Sequence, residues 1–262
     1  VVIDSIRVVS GEPEITLVSP FSGGKWNSLM DNKIEWESQF VADVKIEFSS
    51  DNGLNWMDIT ESTSANARYF DWTATNILSD ECLMKISDVA NPDVFDITEL
   101  NFSLAKLDLI TPDGIGFYRK GSPVEIEWVS EDMGDLSISY KVNSDSNWIL
   151  IEENVSVDDG SYTWYPEEAS SWCKIELKES LMPQAREESN SNFIVYQLDL
   201  INPVGGEVMD GESEFEIQWE SQIMTSFQID YSIDNGSNWT LEATNVSTND
   251  SIYLWTVPNI NS

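Results

Sequence analysis

The sequence has no histidine and only two cysteines, Cys82 and Cys173. Without histidine there is no Ser-His-Asp or Cys-His pair and no histidine-bearing zinc site. Basic residues are scarce: Lys and Arg number 13 against 47 Asp and Glu, a net charge of -34. Nucleic acid needs a basic footprint, so it is excluded as a partner. Anionic membrane surfaces are disfavoured for the same reason. No apolar run approaches the roughly 20 residues of a membrane helix. No signal peptide is visible, and the opening VVIDSIRVV reads as a strand, so the expectation is a removed targeting segment or an internal piece. Gly-rich phosphate loops are also missing. Nothing singles out one carboxylate pair among so many acids, so no catalytic residue is assigned, no cofactor is required, and the chain reads as a non-enzyme.

What is present is apolar and aromatic. The chain of 262 residues is 41% hydrophobic and carries 11 tryptophans, enough for two or three ordinary domains. The acids are spread along the whole length, so this is not a disordered acidic tail. A surface of this charge repels itself unless salt screens it or cations bind it. The expected setting is a salty or cation-rich exterior.

Tryptophan sets a period. Trp36, Trp128 and Trp219 are 92 and 91 residues apart, and the triplets Trp56, Trp148, Trp239 and Trp72, Trp164, Trp255 keep that spacing. Pro20, Pro112 and Pro203 repeat likewise. A regular internal repeat of this kind defines structural units. In the first unit, EITLV, KIEWES, DVKIEFS, WMDIT, YFDWTA, CLMKIS and LNFSLA alternate between apolar and polar residues, with polar turns between them. About seven short strands in roughly 90 residues predict an all-β fold of tandem immunoglobulin-like β-sandwiches. The registered tryptophans are expected to be core anchors.

Two hairpins stand out. SSDNGLNW (49–56) and SIDNGSNW (232–239) fit the Asp-box spacing of sialidases and related propellers. The expected structural hairpin uses Asp51, Gly53 and Trp56, and again Asp234, Gly236 and Trp239. The Asp bonds its own turn, the Gly supplies a positive φ, and the Trp pins the hairpin to the core. A propeller would repeat the box once per blade of about 40–50 residues, not once per unit of about 91. The middle unit keeps Trp148 but has no glycine in its NSDSNW. A sialidase also needs clustered arginines to hold a carboxylate. Here Arg7, Arg68, Arg119 and Arg186 occupy unrelated repeat positions. The sialidase reading is rejected.

Taken whole, the unit resembles the Kre9/Knh1-type immunoglobulin-like repeat of cell-surface proteins. The residues that carry this are SPFSGGKW (19–26), KIEWES (33–38), VKIEFSSDNGLNW (44–56), YFDWTA (69–74) and CLMKISD (82–88). The third unit repeats the pattern as NPVGGEVM, FEIQWES, FQIDYSIDNGSNW and YLWTVPNINS, and the middle unit departs most, with TPDGIGFY in place of the Gly-Gly turn. The resemblance covers nearly the whole chain. It implies modules strung along large extracellular or cell-envelope proteins, and it brings no catalytic residues.

The expected organisation is a last strand of a preceding repeat plus linker in 1–14, repeat 1 in 15–106, repeat 2 in 107–197, and repeat 3 in 198–262. The third repeat is expected to lack its last two strands, supplied either further along the same array or by a strand from another molecule. Cys82 and Cys173 fall at the same repeat position, 91 residues apart, so each is expected to be a single buried thiol. FSLAKLDLITP runs from one unit into the next with no Gly/Ser or Pro-rich linker, which predicts a stiff rod.

Three kinds of site are expected on this scaffold. Acidic loops with Asp88, Asp93 and Asp96, and with Asp158 and Asp159, offer oxygen ligands to Ca2+ or another divalent cation; the alternative is solvated loops. Sequons begin at Asn101, Asn154, Asn235, Asn238, Asn245 and Asn249. Trp172 lies outside the three tryptophan columns and next to Cys173, so it reads as an exposed contact or a covered edge. The functional expectation is a structural segment of an exported cell-surface protein, an S-layer or surface-stalk component. Its expected partners are neighbouring copies or adjacent immunoglobulin-like domains. The alternative is an adhesin or carbohydrate-binding accessory module with a glycan ligand.

Overall fold

The structure, a computed structural model, describes residues 11–74 and 77–259. The strand expected in 1–10 lies outside them. The first unit contains β1 (Glu14–Ser19), β2 (Lys25–Asn27), β3 (Asp31–Gln39), β4 (Asp43–Ser49), β5 (Met57–Ser64), β6 (Tyr69–Thr73), β7 (Ser79–Asp88), β8 (Phe95–Ile97) and β9 (Phe102–Thr111). The second contains β10 (Phe117–Arg119), β11 (Val124–Glu131), β12 (Leu136–Lys141), β13 (Ile149–Val155), β14 (Ser161–Trp164), β15 (Ser170–Glu179), β16 (Arg186–Glu188) and β17 (Phe193–Asn202). The third contains β18 (Glu214–Gln222), β19 (Ser226–Tyr231), β20 (Thr240–Ser247) and β21 (Ile252–Thr256).

Each strand follows its alternation. In β3, Asn32, Ile34 and Trp36 are buried while Lys33, Glu35 and Glu37 face solvent, the period-2 division of a half-buried strand. In the first unit β1, β3 and β6 form one sheet, packed against a second in which β5, β4, β7 and β9 lie in that order. The second unit repeats this with β9, β11 and β14 against β13, β12, β15 and β17. These are immunoglobulin-like sandwiches in tandem. The strands β2 and β8, and their counterparts β10 and β16, did not show in the sequence, because three residues are too few for a period. β2 pairs in parallel with β9, and β10 with β17.

Three cores result. The first runs from Ile15 to Leu104, the second from Leu107 to Val195, and the third is built on Ile217, Trp219 and Val246. Two of the tryptophan columns anchor them. Trp36, Trp128 and Trp219 are buried; the indole N–H donates to Ala65 O (3.0 Å) in the first unit and to Val157 O (2.9 Å) in the second. The later column pairs with an aromatic of β4, β12 or β19: Phe48–Trp72 at 4.8 Å, Tyr140–Trp164 at 5.0 Å and Tyr231–Trp255 at 5.3 Å between ring centroids.

The middle column is not core, which corrects the expectation. Trp56 and Trp148 are half-buried and Trp239 is 65% exposed. These residues leave the hairpin at its tip, so their rings fold onto the turn and not between the sheets. The third unit is also more open. β4 and β12 each have strand neighbours on both sides, whereas among the described residues β19 pairs with β20 alone.

Candidate functional site: inter-repeat joints and acidic loops

The joints are made of continuous strands. The first half of β9 pairs with β7 of the first unit, and the second half pairs with β11 of the second. β17 does the same with β15 and β18. One strand therefore belongs to two sandwiches, and its ladder hydrogen bonds hold both ends.

A side chain then grips each shared strand. Asn27, at the end of β2 and fully buried, donates from Nδ2 to Leu107 O (2.7 Å) and to Glu187 Oε2 (2.8 Å), with Arg186 O at 3.0 Å. Its Oδ1 accepts from the Leu107 N–H (3.2 Å). Lys25 reaches across the joint to Glu179 Oε2 (2.9 Å) and Asp132 O (2.9 Å). At the second joint the equivalent residue is Arg119. Its Nη2 donates to Leu198 O (2.9 Å), the counterpart of Leu107, and to Asp199 Oδ1 (2.9 Å). Sequence reading missed this position because the residue changes from Asn to Arg. The shared feature is where the side chain is delivered, at the end of a strand too short to predict.

The joint also buries acids. Burial pushes the Glu187 carboxyl up to about 8; Asp108 and Asp113 add to this and the Asn27 bond opposes it. Burial also raises Glu176, opposed by Lys178. The two cysteines are buried and unpaired in separate cores, and burial raises both thiols, Cys82 to about 11.

The acidic loops do not assemble into a metal site. Among the described residues no group of three or more His, Cys, Asp or Glu is placed to hold a metal ion. Asp88 is buried and its Oδ1 accepts from the Ala90 N–H, while Asp96 accepts from the Leu17 and Ile97 N–H groups. These carboxylates accept from backbone N–H groups, that of Leu17 lying on β1, and Asp93, Asp158 and Asp159 are exposed. Trp172 is half-buried, and the Lys141 ammonium lies over its ring at 5.4 Å and over Trp148 at 4.6 Å. Among the sequon asparagines, Asn101 is half-buried and Asn154, Asn235, Asn238, Asn245 and Asn249 are exposed.

The hairpins close on themselves. Asp51 Oδ1 accepts from the Asn55 N–H (2.8 Å) and from Ser49 Oγ (2.8 Å), and Gly53 N–H donates to Ser49 Oγ (2.9 Å). Asp234, Asn238, Ser232 and Gly236 repeat the arrangement. The Asn55 side chain, then its N–H and Ser49, hold the Asp51 carboxyl below the usual range. Trp56 Nε1 donates to Gly53 O (3.1 Å). Gly53 has φ 82 and Gly236 φ 80. A side chain there is strained, so Gly53→Ala is expected to cost about 1 kcal/mol and Gly53→Asn less, because Asn tolerates this region. Amide exchange at Asn55 reads the difference.

No known family and no curated protein matches the chain. Solved structures with similar folds include fibronectin(III)-like modules of Clostridium thermocellum CbhA, 12% identical, spanning 75% of this chain and 99% of theirs, with a TM-score of 0.27. An I-band fragment of titin is 12% identical, spans 97% of this chain and all of its own, and has a TM-score of 0.24. A Salmonella alpha-2-macroglobulin mutant is 11% identical, spans 92% of this chain and 20% of its own, and has a TM-score of 0.27.

Proposed function

We propose that this chain is a structural, non-catalytic segment of an exported, acidic cell-surface protein of the S-layer or surface-stalk kind. The observation that carries this reading is the pair of shared strands, β9 and β17. With no linker between sandwiches, the distance between units is set by strand geometry, which suits a spacer. Surface charge supports the second half of the reading. Ion pairs among the described residues engage Lys25, Lys33, Lys45, Lys85, Arg119, Lys174, Lys178 and Arg186. The large excess of acid stays uncompensated. Divalent cations would gather diffusely over that surface and relieve repulsion between neighbouring copies.

The test is light scattering with negative-stain imaging of the full-length protein, with and without millimolar calcium or magnesium. Ordered sheets or filaments appearing only with the cation are the expected result. A stiff monomer under both conditions would overturn the lattice role and favour an adhesin or carbohydrate-binding module.

A further inference from the structure

We propose that Glu187 is a proton-operated latch on the first joint: neutral, it lets the first unit dock onto the second with its carboxyl buried beside Asn27, and ionised, it weakens that docking because the charge is buried among like charges. This deepens the spacer reading, since it concerns how stiff the first joint is.

The geometry isolates this carboxyl. Glu187 is the middle residue of β16, 7% exposed, and β16 packs against β2 and β9 as well as β15. Its partner across the joint is the Asn27 amide. From β9 it faces Asp108, and from the following loop Asp113, whose carboxylate is bonded to Asn190. From its own strand it meets Glu188. The neighbouring cations are engaged elsewhere: Lys25 of β2 with Glu179, Lys178 of β15 and Arg186 of β16 with Glu176, and Lys174 of β15 with Glu188. Lys106 of β9 lies opposite Glu131. Among the described residues no ion pair reaches Glu187. A negative charge here would sit in a buried joint among like charges, which is unfavourable.

The sign follows from linkage. The docked carboxyl is raised to about 8, and separating the units returns it to water and to the ordinary value near 4.5. Docking therefore favours proton uptake. Its contribution is fully present below about pH 4.5 and is lost as pH rises towards about 8, by up to about tenfold in the docking equilibrium per pH unit.

The Leu107 N–H donates to Asn27 Oδ1, so its hydrogen-exchange protection factor reads the joint directly. It should be followed by NMR in the 262-residue chain from pH 5 to 9. In the wild type, protection is expected to fall with rising pH, while core amides such as that of Ile138 keep theirs. Glu187→Gln should hold protection level across the range. Should that variant disturb the second core, Glu187→Met, also neutral at every pH, provides the same test. Asn27→Ala should lose protection at every pH with both cores intact. Equal pH dependence in the wild type and the neutral variant would overturn the latch, as would full Leu107 protection in Asn27→Ala. Cation-driven assembly is read by scattering, so failure of the latch and failure of the lattice role are distinguishable.

Discussion

Trp36→Ala is expected to destabilise the first unit by about 4 kcal/mol, within the range for emptying a buried large aromatic site. Trp36 is 1% exposed, lies in the core with Ile34, Ile46 and Phe48, and donates to the Ala65 carbonyl. Truncation leaves a cavity and removes one donor from the buried Ala65 carbonyl, which keeps the Arg68 N–H (3.3 Å) and Ser38 Oγ (3.4 Å). Against the 5–15 kcal/mol total typical of a domain, that is a large fraction. Trp56→Ala should cost far less, about 1 kcal/mol, because its half-buried ring covers its own turn and meets the Lys85 ammonium, outside the core. The chain has three cores, so one global transition is not expected. Amide exchange in β3 and β4 is the measurement that assigns the loss to the first unit. Equal effects of the two substitutions would refute the core assignment.

Lys25→Met should act differently, on two units at once. Lys25 bridges to Glu179, whose side chain is 7% exposed, while Lys25 itself is 20% exposed. Removing the lysine leaves a carboxylate buried at the joint without its partner. The expected cost is about 3 kcal/mol, the low end for breaking a buried pair, because the lysine is partly hydrated already. Double substitution with Glu179→Gln should recover much of it, since the orphan charge goes too. The readout is amide protection at Ser28 and Leu107, which bond across or beside the joint, compared with protection deep in either core. An unchanged joint in the single variant would show that the shared strand and Asn27 hold the units without the lysine.

The two predictions touch residues of very different legibility. Trp36 announces itself, because a large aromatic recurring at a fixed interval on an alternating strand has few places to go except between sheets. Trp56 has the same interval and a similar alternation, and it lies outside the core. Its position is decided by a turn that delivers the ring onto its own glycine. Lys25, Asn27 and Glu187 gave no signal at all. They sit on strands of three residues, where no period can form, and their partners lie 80 to 160 positions away.

The acidic loops show the same limit from the other side. Asp88, Asp93 and Asp96 lie close in sequence, which suggested shared ligands. The fold turns Asp88 and Asp96 to separate backbone amides instead. Carboxylates converge on an ion only when the chain brings several to one point, and spacing along a loop does not measure that.

What the sequence by itself determined is therefore the repeat, the strands long enough to alternate, the linker-free joints and the sign of the surface. These depend on near neighbours along the chain and on totals. Only the tertiary structure decided which tryptophans are core, that one strand serves two sandwiches, and that Asn27 meets Glu187 in a buried joint. Those contacts join residues far apart in the chain, and their energies come from packing and desolvation that exist only once the sheets have closed.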